Sequence, residues 1–178
     1  MQARGLLMKE HRLIERIMVL IEEALKQIEE NDEVDLSFID KTVDFMSTYV
    51  ERTHHEKEED IFFRDLKKKD LSDEHRLLTN ELINEHDFER KVTNELFEAS
   101  TRFQAGEGPA LAVIVEKLRT LVNLFSKHIE KEDNVIFPSS RAYFSDEEDQ
   151  IMLEEFLEFD SKIIHEKYTS IIEALESQ

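Results

Sequence analysis

The sequence predicts an all-α protein: an up-down-up-down four-helix bundle with an additional C-terminal helix. Three observations predict it. Only three glycines and two prolines interrupt 178 residues, and 37% of those residues are charged, a balance that suits long solvated helices rather than sheet. Apolar residues recur at alternating spacings of three and four along most of the chain. Two stretches also repeat each other 74 residues apart: His54-His55-Glu56-Lys57-Glu58-Glu59-Asp60-Ile61-Phe62-Phe63 aligns without a gap on His128-Ile129-Glu130-Lys131-Glu132-Asp133-Asn134-Val135-Ile136-Phe137.

The first helix carries Leu7, His11, Ile14, Met18, Ile21, Leu25 and Ile28 on one face. The second is expected to start near Asp35 or Ser37, with Ser37-x-x-Asp40 as an approximate capping box. Its stripe is Val43, Met46, Val50, His54, Glu58 and Ile61, and it runs into the basic Lys67-Lys68-Lys69. Ser72 is the expected cap of the third helix, whose stripe includes Leu82, His86, Glu89, Thr93, Leu96 and Phe103. Gly106-Glu107-Gly108-Pro109 then breaks the chain, and Pro109 fits the first turn of a fourth helix. That helix places Ile114, Leu118, Leu121, Phe125, His128 and Glu132 on one face, and Pro138 is expected to stop it. A fifth helix is predicted from a Ser145-x-x-Glu148 capping box to the C-terminus, along Leu153, Leu157, Ile164, Tyr168, Ile171 and Leu175. Residues 1–178 read as one domain, with a bundle over 4–138 and the extra helix over 145–176 packed outside it or across one end.

Composition excludes several classes of function. A formal net charge of −19 argues against nucleic acid, which needs a basic face, and against an anionic membrane surface. The absence of cysteine removes disulfides, cysteine-ligated clusters and thiol redox chemistry. There is no long apolar N-terminal segment of the secretory kind, and no run of about 18 apolar residues to span a bilayer. A soluble cytoplasmic protein is the expectation.

The chemistry lies in the His and Glu positions. His11, His54, His86 and His128 each sit within the apolar stripe of a different helix, so each is expected to face the bundle centre. Glu58 and Glu132 follow one turn on from His54 and His128, roughly 6 Å along the axis, facing the same way. Glu10-His11 and Glu85-His86 repeat 75 residues apart, almost in step with the longer repeat. One His on an apolar face reads as an ordinary core residue. Four on four helices, with two carboxylates at one spacing and no Lys or Arg on those stripes, make sense around bound cations, because a carboxylate in a core costs several kcal/mol (roughly 2–7 for an unpaired polar group, more for a charge) unless something pairs it. Mixed His/carboxylate sets suit non-haem iron; zinc, manganese or a mixed pair fit on affinity grounds.

Other residues are expected at the margin. His55 and Glu59 share the four-residue spacing but are rotated away from the first pair, and His55 aligns with Ile129, so neither is expected as a primary ligand; His55 remains a fifth imidazole or a partner of the ligands. Asp133 is the alternative carboxylate beside Glu132. His75 reads as surface or helix start, and His165 either closes the site from outside or packs. Glu56, Lys57, Glu130 and Lys131 read as a solvated helix face.

These residues resemble the hemerythrin-like family, the HHE cation-binding domain. The family pattern of a lone His, an H-x-x-x-E, a second lone His and a second H-x-x-x-E followed by Phe-Pro is matched by His11, His54 with Glu58, His86, and His128 with Glu132 and Phe137-Pro138. The resemblance covers roughly residues 4–138. It implies a four-helix bundle around two iron ions in an oxo- or hydroxo-bridged centre. It also implies reversible dioxygen binding, or sensing of oxygen, nitric oxide or iron. Hemerythrin itself supplies a further His one turn after the third-helix His, where this sequence has Arg90, and takes a carboxylate five residues after the last His, here Asp133. The sequence looks closer to members with fewer His and two symmetric Glu, such as the domain of the iron-sensing F-box protein. The missing His argues against stable dioxygen carriage and leaves room for His55, His165 or water on one iron. The leading expectation is a non-haem di-iron protein that binds or senses dioxygen, nitric oxide or peroxide, entering between Phe45, Phe88 and Phe125. The alternatives are a di-iron oxidase or peroxidase, a nitric-oxide scavenger drawing electrons from a redox partner protein, or an iron storage or repair protein. Binding is favoured over turnover.

Overall fold

The computed structural model describes residues 2–31, 33–160 and 162–177, with backbone alone over 162–164. Among them all regular structure is helical. Helix α1 spans Ala3–Asn31. Helix α2 covers 36–66, α3 covers Asp73–Gln104 and α4 covers 110–140. Two shorter helices follow, α5 over Asp146–Phe159 and α6 over Lys162–Glu176. No described helix is long and apolar enough to cross a membrane.

The up-down-up-down order shows in how the helices cross two apolar layers. One layer contains Ile14, Val50, Val92 and Phe125; the other contains Leu7, Ile61, Leu82 and Ile136. Helices α1 and α3 run from the second layer to the first, and α2 and α4 run back. Between the layers every helix contributes buried His or Glu. The site is thus a polar storey between two apolar ones, closed to bulk water on both sides. Helix α5 caps the second layer through Met152, Leu153 and Phe156, and α6 lays Tyr168 and Ile172 on the first.

Local chemistry sets the boundaries. Asp35, not Ser37, caps α2: its carboxylate accepts from the backbone N–H of Ser37 and Phe38, and Ser37 falls inside the first turn. Ser72 caps α3 and Ser145 caps α5 with the full capping box, as expected. Gly106, at φ +94°, makes the turn after α3 in a conformation that favours glycine. Pro109 is the cap residue before α4, one place earlier than the first turn.

Pro138 does not stop α4, which continues to Ser140. The preceding turn, Glu132–Ile136, is wide, with the Phe137 N–H reaching the Glu132 carbonyl five residues back. Widening moves the upstream carbonyls away from the proline ring and relieves the clash that would break an α-helix. The predicted single C-terminal helix is two, because Asp160 is extended (φ −71°, ψ 119°). Leu157 is therefore exposed rather than on a buried stripe, while Ile164 lies outside the described side chains.

Candidate metal centre

Helix α2 is wide over Phe45–His55 and again over Glu58–Phe63, and α4 is wide over Glu132–Ile136. The Glu56 N–H bonds the Glu51 carbonyl, five residues back. Such turns cluster at functional sites because they re-aim the side chains that follow. Here they fall on His54, His55, Glu58 and Glu132.

The structure brings His11, His54, His86, His128, Glu58 and Glu132 together, each at most 1% exposed. Two pairs of imidazole nitrogens meet: His11 Nε2 lies 3.0 Å from His54 Nε2, and His86 Nε2 lies 3.1 Å from His128 Nε2. The glutamates stand between the pairs. Glu58 Oε1 is 3.4 Å from His54 Nε2, and its Oε2 is 3.5 Å from His86 Nε2. Glu132 Oε2 is 3.2 Å from His11 Nε2 and 3.3 Å from His128 Nε2. Two donor sets result, His11/His54/Glu58/Glu132 and His55/Glu58/His86/His128, each with ligand atoms within 4.8 Å of one another. Glu58 belongs to both.

His55 therefore joins the second set, although its position in the repeat argued against a primary role. Its ring stacks on His86 with centroids 3.8 Å apart. Glu59 and Asp133 sit outside the cage as partners of its imidazoles: Glu59 Oε1 is 2.7 Å from His86 Nδ1, and Asp133 Oδ1 is 2.8 Å from His11 Nδ1. His165 does not reach the cage. Its Nδ1 meets the Tyr49 hydroxyl at 3.0 Å and its Nε2 lies 3.1 Å from Asp160. His75 opens α3 beside Tyr143. Phe45 and Phe125 are buried near the site as expected, but Phe88 is on the surface, 46% exposed.

The remaining imidazoles follow the same rule. His54 Nδ1 meets Glu10 at 2.8 Å, His128 Nδ1 meets Glu85 at 2.9 Å, and His55 Nδ1 meets Glu51 at 3.3 Å. All five rings thus present Nδ1 to a carboxylate and Nε2 to the centre. A carboxylate on Nδ1 fixes the proton there and leaves the Nε2 lone pair inward, the arrangement that orients metal-ligating histidines. With Nδ1 protonated, two Nε2 lone pairs at 3.0–3.1 Å repel unless a cation or proton lies between them. All four oxygens of Glu58 and Glu132 are buried without a hydrogen bond. Uncompensated, such atoms are among the costliest features a fold can hold. The donor set fits a pair of cations.

Electrostatics within the bare cage point the same way. Burial, with Glu132 adding to it, pushes Glu58 well above the usual carboxylate range, while Glu132 is held well below it because His128 and His11 outweigh its burial. Burial draws His86 down to about 4 and His54 well below the usual imidazole value. His128 and His11 go up, burial being outweighed by Glu132 together with Glu85 or Asp133. Neighbouring ligands are pulled in opposite directions, as expected where protons stand in for metal charge.

Lys57 is a correction to the sequence reading. It is fully buried, not on a solvated face, and its ammonium pairs with Glu10 and Asp160. Burial pushes Glu10 up to about 7 despite Lys57. Arg90, where the further His was absent, binds both Glu51 and Glu59, so it braces His55 and His86 through their carboxylates. The roles of Glu10, Glu85, Lys57, Lys131 and Glu59 were available in the repeat: Lys57 and Lys131, and Glu59 and Asp133, are 74 residues apart. Glu51 and Glu89 have no counterpart of their kind, and nothing in the sequence marked them as part of the site.

A buried His/carboxylate cage with an approximate twofold, held by four antiparallel helices, defines a metal-binding helical bundle. The sequence profile of the hemerythrin HHE cation-binding domain matches residues 3–139, and the chain belongs to that family. It is also 26% identical over 151 residues to the uncharacterized proteins Mb2018 of Mycobacterium bovis and Rv1995 of Mycobacterium tuberculosis, covering 84% of this chain. The chain spans 58% of the length of these relatives. No solved structure matches it significantly. Helices α5 and α6 lie beyond the matched segment.

Proposed function

We propose that this protein is a non-haem di-iron protein that binds dioxygen or a related small molecule, nitric oxide or peroxide. One observation carries the reading: five imidazoles, each fixed by a carboxylate at Nδ1, converge with Nε2 on four carboxylate oxygens that have no other partner. His11 and His54 would hold one iron, and His55, His86 and His128 the other, with Glu58 and Glu132 shared between them. Iron is favoured by the mixed imidazole/carboxylate donors and by the family. Bound iron would supply the redox-active centre that exchanges electrons with a diatomic or peroxide ligand.

The protein's own residues shape what enters. The position served by two imidazoles has fewer protein donors than the one served by three, so it is the place for an outside ligand. Phe137 stacks on His11 there, with centroids 5.6 Å apart and planes 14° from parallel. The apolar layers above and below exclude bulk water and favour small, weakly polar ligands.

Metal content by plasma mass spectrometry, followed by anaerobic reduction and oxygenation, tests the reading. Two irons per chain and a reversible oxygen-dependent absorption band are expected. Glu58→Ala should lose both metals, because this carboxylate faces both donor sets. Two metals retained in Glu58→Ala would remove the proposed bridging role, and sustained consumption of peroxide or nitric oxide with added reductant would turn the reading toward an enzyme.

A further inference from the structure

The cage is twofold, but its surroundings are not. In the repeat, Glu89 stands where the first half has Ile14, and His55 and Glu51 stand where the second half has Ile129 and Phe125. Two similar clefts flank the cage at these places. One, of about 200 Å³, lies between α1 and α4 and includes Phe125 and Ile129 in its lining. The other, of about 220 Å³, lies between α2 and α3 and includes Glu51, His55 and Glu89. So one cleft meets the cage through hydrocarbon and the other through acids and an imidazole.

Glu89 is the unusual group. It is 2% exposed, and both carboxylate oxygens are buried without a hydrogen bond. His55 Nε2 lies 3.1 Å away, in a contact too bent for a hydrogen bond. For folding alone, an isoleucine like Ile14 would serve this position better, since an unpartnered buried carboxylate opposes folding. The cleft also has a sign. Its cation, Arg90, is held by Glu51, Glu59 and Asp87, leaving carboxylates to set the field along the path. Glu51 lies partly exposed toward the rim, Glu89 lies inside, and His55 ends the path as a member of the second donor set.

We propose that this cleft is the port through which divalent cations load the cage, with Glu89 as a transit ligand that passes the ion to His55. The inference rests on the reading that the cage holds metal. It adds that the two halves are filled from one side, and that Glu89 acts in transit rather than in the resting centre.

Rapid mixing of metal-free protein with Co²⁺, followed by its visible bands and by final metal content, tests this. Glu89→Ile, which copies the mirror position, should slow loading by about tenfold or more, the scale on which a charged cleft concentrates counter-ions. Final content should stay at that of the wild type. Glu89→Gln, of the same shape, should slow loading too and decides the matter if the Ile variant folds poorly by circular dichroism. Unchanged loading rates would overturn the port. A final content lower by one metal would also overturn it, by making Glu89 a resident ligand. Wild-type protein that takes up no cobalt or iron would remove the metal-centre reading itself, and the port with it.

Discussion

The two halves of this bundle agree around the metal cage and part company just outside it. His54 with Glu10 matches His128 with Glu85 at 2.8 and 2.9 Å, and His11 with Asp133 matches His86 with Glu59 at 2.8 and 2.7 Å. The next ring differs. Lys57, bound to Glu10, is sealed beneath Asp160 at the end of α5, whereas Lys131, bound to Glu85, is 24% exposed. On the other side, His55 and Glu89 replace Ile129 and Ile14. The lesson is that binding two cations needs a symmetric inner layer, while telling the two positions apart needs only a few substitutions one step away.

That comparison can be broken experimentally, starting with the lysines. Lys57→Met leaves Glu10 and Asp160 buried without their cation and should cost about 3–5 kcal/mol, the scale for removing one partner of a buried pair. Lys131→Met should cost at most about 1 kcal/mol, because its pairs face solvent. Urea unfolding of the metal-free proteins measures both, and equal losses would mean that α5 does not distinguish the halves.

The mirror positions come next. His55→Ala should lower metal content by about one ion per chain. Ile129→Ala should keep both ions and instead lose about 2–4 kcal/mol of stability, as core truncations do. Identical metal contents in the two variants would place His55 outside the centre.

The smallest effect concerns acid. His86 and Arg90, outweighing burial, hold Glu59 down at about 2 from an ordinary value of 4.5. A carboxyl depressed by folding binds fewer protons in the native state, so its contribution is present above about pH 4.5 and is lost as pH falls toward about 2. Glu59→Gln should flatten the acid limb of a stability–pH curve in that window. A limb of unchanged slope would show that Arg90 does not brace His86 through this carboxylate.

Much of the architecture was legible because it follows from local rules. Spacings of three and four fixed the apolar faces, Ser72 and Ser145 announced their helix starts, and the 74-residue repeat exposed six buried ligands on four helices. Where local rules compete, sequence reading slipped. Asp35 outcompeted Ser37 as a cap, a wide turn carried α4 past Pro138, and an extended Asp160 split the last helix. The burial of Lys57 was not legible, since it depends on α5 ending with a carboxylate above it, more than 100 residues away.

By itself, then, the sequence determined an all-helical bundle with a His/Glu cage, because periodicity and spacing are properties of one helix at a time. The tertiary structure decided which groups stand behind the ligands, which side of the cage is acidic and which lysine is sealed. Those outcomes depend on contacts between helices and on wide turns that shift a side chain from one face to another, and no spacing along a single helix encodes them.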